Sequence, residues 1–307
     1  MKNGRWHNLL PRPIAFVLSG GAALGAIQVG MLKSLLAAGL MPDLLVGTSV
    51  GALNGAVIAD HGMIEGTHLL EEVWENLSRE MIFPGGRIAQ ARHLLSTKLS
   101  IFPNDNLTEL ICRTLSVTEF EALHLPFGAL ATNLLTHHGA LFTSGKLHKA
   151  LLASAAIPGV YPPVEINGVL YVDGALTAHV PLAAAVRMGA ASLVVLDTGD
   201  TCHHASLPRH VAEMFLITMH TAMRQRVLVE APAIARQLPV LYLPSPCPIS
   251  RSVLDFSNSQ VLMKQAEETT AVFLENAPPP KPGHMSGAPH FHDDHPVSDL
   301  IMEAKAI

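Results

Sequence analysis

A chain of 307 residues that is 49% hydrophobic and only 15% charged has the make-up of a packed globular protein. It is large enough for one big α/β domain or two smaller ones, and it is too apolar for a disordered segment. The net charge of −5 and the absence of an evident Lys/Arg cluster argue against a nucleic-acid partner. Cys112, Cys202 and Cys247 are odd in number, far apart and without Cys-x-x-Cys spacing, so neither a disulfide frame nor a zinc site is suggested, and a reducing, cytoplasmic compartment fits.

In chain order, residues 1–13 read as a loose arm. The uncharged run from Pro13 to Leu32, preceded by Arg5 and Arg12, imitates an export signal or a membrane span. Gly20-Gly21 interrupts it after a short apolar run, so it is read instead as a strand, a Gly-rich loop and a buried helix. The strand is Ile14 to Leu18, the loop Ser19 to Gly25, and the helix runs to about Ala38, where Gly39 caps it. A second strand over Asp43 to Val46 meets Gly47-Thr48-Ser49-Val50-Gly51, and a helix carrying Val50, Ala52, Leu53, Ala56 and Val57 follows to about Asp60.

Residues 64–125 read as mostly helical and as a cover for the site, with Leu69, Leu70, Val73, Trp74 and Leu77 on one apolar face and a cap at Asn104-Asp105. A hairpin is expected around His137-His138-Gly139, and a helix from Leu147 to Ala155. The clearest hairpin signal is Val164 to Val172, where Asn167-Gly168 supplies the positive φ angles of a type I′ turn. That hairpin runs into Asp173-Gly174-Ala175. A helix from Pro181 to Met188, a buried strand from Leu193 to Leu196, helices over about 207–236 and 257–276, and a strand from Val240 to Leu243 complete the ordered reading. From Pro278 onward the chain is rich in Pro, Gly and His and reads as disordered, with a short amphipathic helix in its last ten residues.

Gly-x-Ser-x-Gly between a strand and a helix is the setting of a nucleophile elbow. Gly47 and Gly51 leave room where strand and helix nearly touch, and Ser49 is pushed to the tip. Only 46 residues precede Gly47, enough for one βα unit, which argues against an α/β-hydrolase, whose elbow follows several strands. A dinucleotide site fits no better. Ala22 stands at the middle glycine of Gly-x-Gly-x-x-Gly, and no acid follows the second strand.

Four blocks together resemble the patatin-like phospholipases, serine lipid acyl hydrolases with a Ser–Asp dyad. They are the loop Ser19 to Gly25, the elbow Gly47 to Gly51, Ser154-Ala155-Ala156-Ile157-Pro158 through Tyr161-Pro162-Pro163, and Asp173-Gly174-Ala175. The resemblance implies a nucleophile at Ser49, a base at Asp173 and an oxyanion hole at Gly20, Gly21 and Ala22, with Gly25, Gly47, Gly51 and Gly174 shaping the motifs. The fold it implies is a three-layer α/β/α sandwich with a central, mainly parallel sheet. The catalytic domain would span residues 14–200, with a helical part at 201–277 packed on it and a tail at 278–307. Neither cofactor nor metal is called for. The partner is a lipid or fatty-acyl ester, met peripherally at a membrane.

Two positions depart from the family. Leu24 stands where Arg or Lys is common, and Ala22 where Gly is, a harmless change unless its φ is positive.

Other residues offer competing roles. His179, His203 and His204 invite a triad, Asp197 and Asp200 are alternative bases, and His290 to His295 imitates a metal cluster. Met214, Leu216, Met219 and Met223 read as core packing rather than a lipid-facing stripe. Two rival functions are a non-catalytic acyl-chain binder, which a displaced Ser49–Asp173 pair or a closed cleft would favour, and a membrane-surface protein acting through residues 207–236.

Overall fold

A computed structural model of the chain describes residues 6, 9–97, 99–199, 211–246 and 255–289. The apolar runs form a mixed eight-stranded sheet. Its strands are β1 (Ile14–Leu18), β2 (Leu44–Thr48), β3 (Phe127–Asn133), β4 (Gly139–Phe142), β5 (Val164–Ile166), β6 (Val169–Asp173), β7 (Ser192–Leu196) and β8 (Val240–Tyr242). β3, β2, β1, β7 and β8 lie side by side in parallel, while β4, β6 and β5 are antiparallel additions.

The parallel strands are mostly apolar and buried because both faces are covered. Phe16, Leu18 and Leu45 join one core with α1 (Ala26–Ala37), α2 (Val50–His61), α3 (Met63–Asn76) and the last helix, Ser259–Asn276. Ala15, Val17 and Val46 join a second core on the other face, with Leu182, Ala185, Val227 and Ala231. The result is the three-layer α/β/α arrangement. The last helix lies on α1, where the Ser34 hydroxyl donates to the Glu267 carbonyl at 2.7 Å and Lys33 bridges Glu71 and Glu267.

The register of β3 decides where the chemistry can sit. β2 pairs with Phe127 to Leu130 of β3, and β6 pairs with Ala131 to Asn133. Ala129 to Thr132 also pair with β4. A strand has two edges, so β2 and β6 must share the edge opposite β4, in tandem and running towards each other. Their carboxyl ends therefore meet: Thr48 pairs with Leu130, and Asp173 with Ala131, one residue on. β6 arrives from the direction opposite to β2, and the shared edge of β3 brings the two ends nose to nose.

Three expectations are corrected. The arm is not loose at Trp6, which is buried and donates its indole N–H to the Leu274 carbonyl at 3.2 Å, nor at Leu10, which joins the core. Order does not stop at Pro278, because Ser286 pairs with the free edge of β8, accepting from the Tyr242 N–H at 2.8 Å and donating to the Val240 carbonyl at 3.0 Å. Met214 is half exposed rather than packed. Cys112 is exposed, whereas Cys202, Cys247, Asp200, His203, His204, the cluster His290 to His295 and the expected terminal helix lie outside the described residues. Among the described residues no helix is long and apolar enough to cross a membrane.

Candidate active site

Ser49 has φ 55° and ψ −126°, a conformation that few L-residues adopt. Such a residue costs on the order of 1–3 kcal/mol and persists only where its surroundings over-determine it. Here the surroundings do so from three sides. β2 and α2 approach so closely that a Cβ on Gly47 would lie 2.3 Å from the Gly51 carbonyl oxygen, and one on Gly51 would lie 2.4 Å from the Leu18 carbonyl oxygen. The third constraint is Ser154 at the end of the helix Leu147–Ser154, fully buried. Its hydroxyl accepts the Ser49 N–H at 2.9 Å and donates to the Leu130 carbonyl at 2.6 Å. Ser154→Ala would strand a buried N–H at the strained residue. A stability loss of about 1–3 kcal/mol is expected, with a larger proportional fall in kcat than in the affinity for acyl ester, checked by denaturant unfolding and steady-state kinetics.

The Ser49 hydroxyl lies near enough to the Asp173 carboxylate to favour its charged form. Asp173 is 3% exposed, and its own backbone is clamped: its N–H donates to the Ala156 carbonyl at 2.9 Å, and the Thr132 hydroxyl donates to its carbonyl at 2.9 Å. Burial pushes its carboxyl up to about 6, although the Ser49 hydroxyl and the hydrogen bond from the Ala175 N–H (2.8 Å) pull the other way. Such a carboxylate is ionised at neutral pH yet far more basic than an ordinary one. Gly174 has an ordinary φ of −65°, so a sharp turn is not what it supplies. A Cβ there would lie 2.1 Å from the Leu130 carbonyl oxygen, at the point where the two strand ends meet.

The loop after β1 is stitched to Thr198, at the end of β7. The Thr198 hydroxyl donates to the Gly20 carbonyl at 2.7 Å, and the Thr198 N–H donates to the Ser19 hydroxyl at 2.9 Å. Gln28 donates to the Ser19 carbonyl at 2.8 Å. Gly20 is a correction to the expected oxyanion set, because its N–H already donates to the His179 carbonyl at 3.0 Å. The N–H groups of Gly21 and Ala22, at the start of a 3-10 turn, donate to no acceptor among the described residues. Gly21 has φ 152°, and Ala22 has φ 48°, so the condition under which alanine would be strained is met. Leu24 is buried in the core, where the charge common in the family would be out of place. Gly25 packs against α2, where a Cβ would lie 2.4 Å from Val50.

Ala22 and Ser49 sit at the head of a cavity of about 100 Å3 that is lined almost entirely by carbon. Val50, Leu53 and Val57 of α2 form one wall, and Trp74, Leu107, Ile111 and Phe256 close the others. Away from Ala22 and Ser49 its polar side chains are already committed: Asn54 accepts from the Trp74 indole at 3.1 Å, the Thr114 hydroxyl donates to the Leu110 carbonyl at 2.7 Å, and the Tyr161 hydroxyl donates to the Ile82 carbonyl at 2.6 Å. The space suits a hydrocarbon chain and nothing charged.

The rival residues are placed elsewhere. Asp197 is buried at the end of β7, where burial opposes its charge, but Arg224, His179 and the Tyr242 hydroxyl hold its carboxyl well below the usual range. Arg224 donates at 2.7 Å and Tyr242 at 2.5 Å, so Asp197 is an anchored structural anion and too weak a base for acyl transfer. The His179 ring lies against Gly20, where a Cβ would be 3.1 Å from its Nδ1. Ser154, Thr198 and Gln28 were not singled out as functional positions from the sequence. Of these only Ser154 carried a signal, as the first residue of the Ser-Ala-Ala-Ile-Pro block.

Comparisons with known proteins bear on this geometry. A family model described as patatin-like phospholipase matches residues 16–186. The chain is 29% identical over 192 residues to patatin-like phospholipase domain-containing protein 7 of Mus musculus, 28% over 198 residues to neuropathy target esterase sws of Drosophila melanogaster, and 27% over 191 residues to lysophospholipase NTE1 of Mycosarcoma maydis. These matches cover 61%, 64% and 61% of the chain but only 14%, 13% and 10% of the relatives, so the chain spans a small part of each. Among solved structures, VipD from Legionella pneumophila aligns at 14% identity with a TM-score of 0.42, over 86% of this chain and 67% of that one. The type III effector ExoU aligns at 17% identity with a TM-score of 0.38, over 87% and 53%.

Proposed function

This chain belongs to the patatin-like phospholipase family, and from that premise we propose that it is a serine hydrolase that cleaves carboxylic esters of lipids through an acyl-Ser49 intermediate. The observation that carries the reading is the placement of a strained Ser49 beside a buried, basic Asp173 at the head of an apolar cavity. A free hydroxyl is a poor nucleophile, and a neighbouring proton acceptor is what activates it.

With the acyl chain in the cavity, Ser49 Oγ adds to the ester carbonyl while its proton passes to Asp173. The N–H groups of Gly21 and Ala22 receive the oxyanion. The carbon–oxygen bond to the alcohol breaks, and the departing alkoxide takes the proton from Asp173. Water then adds to the acyl-serine, giving its proton to Asp173. Collapse of that second adduct returns the proton to Ser49 and frees the carboxylic acid. The paired Ser49 and Asp173 and the open cavity speak against a non-catalytic acyl-chain binder. Lysophospholipids, phospholipids and neutral glycerides all present the required ester, so fatty-acid release from each by wild type and Ser49→Ala is the test. Wild type should release acid from at least one and the variant from none. Equal release by both would remove the hydrolase reading.

Only ionised Asp173 can accept the Ser49 proton, so kcat/KM should be flat above neutrality and fall about tenfold per unit well below its value of about 6. An inflection in this range would therefore not by itself reveal an imidazole, contrary to what an ordinary carboxylate would allow. The two are separated by adding organic cosolvent, which raises the apparent value of a neutral acid and leaves that of a cationic acid nearly unchanged. A profile insensitive to cosolvent would point to histidine.

A further inference from the structure

Residues 84–100 leave the wall of the apolar cavity and return to it. Phe83 lines the cavity, and its ring meets that of Phe102, where the chain comes back, at 5.1 Å between centroids. The return is fixed by backbone bonds, from the Ile101 N–H to the Gly159 carbonyl at 3.0 Å and from the Phe102 N–H to the Val160 carbonyl at 2.9 Å. His93 and Ser100 meet across the base at 3.2 Å. The excursion carries the helix Arg87–Thr97. Leu94, Leu95 and Leu99 on it are 43%, 77% and 62% exposed, and Met81 just before it is 42% exposed. Its charge is as one-sided as its apolar exposure. By sequence these seventeen residues hold Arg87, Arg92 and Lys98 and no carboxylate, in a chain whose acids outnumber its Lys and Arg by 25 to 20. The cations are spaced five and six residues apart, so they form no run in the sequence.

Exposed leucines, in a stretch whose sequence holds cations and no carboxylate and which is tethered beside the wall of an acyl cavity, are what an interfacial segment presents to a membrane. We infer that the excursion 84–100 is the surface by which this protein docks on an anionic lipid bilayer, with its leucines in the headgroup boundary and its cations on the lipid phosphates and carboxylates. Its role as an entry for substrate rests on the hydrolase reading above, whereas the docking itself rests on the charge and exposure of the excursion. Docking there sets the cavity wall against the bilayer, so an acyl chain need not cross water to reach Ser49. The occupant is anionic because each Lys or Arg near such a surface adds to binding and adds little at a neutral one.

The test uses the full chain carrying Ser49→Ala, so that vesicles are not consumed, with vesicles of phosphatidylcholine alone or containing about one-third phosphatidylserine. Binding should require the anionic lipid and weaken as salt rises. Combined Arg87→Gln, Arg92→Gln and Lys98→Gln should lower partition by about a hundredfold, and Leu94→Gln with Leu95→Gln should lower it as well. In the Ser49 background both sets should leave turnover of a water-soluble short-chain ester at the wild-type level, which also reports that they fold. Loss of that turnover in one set leaves the other set to decide. Undiminished partition of the folded variants, binding indifferent to anionic lipid, or no vesicle binding by the parent would each overturn the inference, the last leaving an acidic protein partner as the occupant. Vesicle binding through this segment without any ester cleavage by wild type would instead sink the hydrolase reading and leave the docking surface standing.

Discussion

Asp173→Asn is expected to abolish acyl transfer and to make the protein more stable in alkali. The amide keeps the size of the side chain and can still accept the Ala175 N–H, but it cannot take the Ser49 proton. A loss in kcat on the order of 10⁴ is expected, the upper end for removal of a positioned base. The stability gain follows from the same burial. The carboxyl sits at about 6 in the folded chain against an ordinary value of 3.8, so the fold favours the neutral acid. Below the ordinary value both states are protonated and Asp173 is neutral to stability. As pH rises through the window up to about 6, the unfolded chain ionises first and the folded state loses ground. Above that window the penalty of a shift of about two units is complete, on the order of 2–3 kcal/mol. Asp173→Asn should therefore resist denaturant better than wild type at pH 8 by up to that amount and equally well near pH 3.5. His179→Ala is the control for a triad, and it should keep activity within about tenfold because it touches no reacting atom. A His179→Ala protein as inactive as Asp173→Asn, with its fold intact, would replace the dyad by a triad.

Gly21→Ala is expected to lower kcat on the order of 10²–10³ while KM for a long-chain ester changes little, the signature of a lost oxyanion donor. A Cβ at this position would lie 2.3 Å from Thr198 Oγ1, and φ 152° is open to glycine and to few others, so the loop must shift. The shift carries the N–H groups of Gly21 and Ala22 away from Ser49 without filling the acyl cavity. Alanine is a better probe than proline, whose φ near −65° would remodel the loop beyond the loss of one donor. A rise in KM with kcat preserved would mean that the loop grips the head group rather than the oxyanion.

The residues that carry the proposed chemistry could be read in the sequence because their constraints are local. Gly47 and Gly51 announce a strand and a helix in contact, and Asn167-Gly168, with φ 53° and 78°, announces the hairpin that delivers Asp173. The constraints that were not legible are long-range. Nothing near Asp173 tells that β6 shares an edge of β3 with β2, since that is a matter of register between segments some forty residues apart. The engagement of the Gly20 N–H by His179, and the grip of Ser154 on the Ser49 N–H, likewise span the chain. Composition misled at the two ends. Trp6 and Ser286 lie in stretches too short or too rich in Pro and Gly to show periodicity, and each is held by hydrogen bonds to a distant element, the last helix and β8.

The central claim, that Ser49 is a nucleophile activated by Asp173, is tested most directly by reaction with a fluorophosphonate followed by peptide mapping. Wild type should take up one probe molecule, on Ser49. Ser49→Ala should take up none, and Asp173→Asn should react slower by orders of magnitude although it is folded. Labelling of another residue, or undiminished labelling of folded Ser49→Ala, would contradict the account. Labelling of Asp173→Asn at the wild-type rate would leave Ser49 its role and strip Asp173 of the part given to it here.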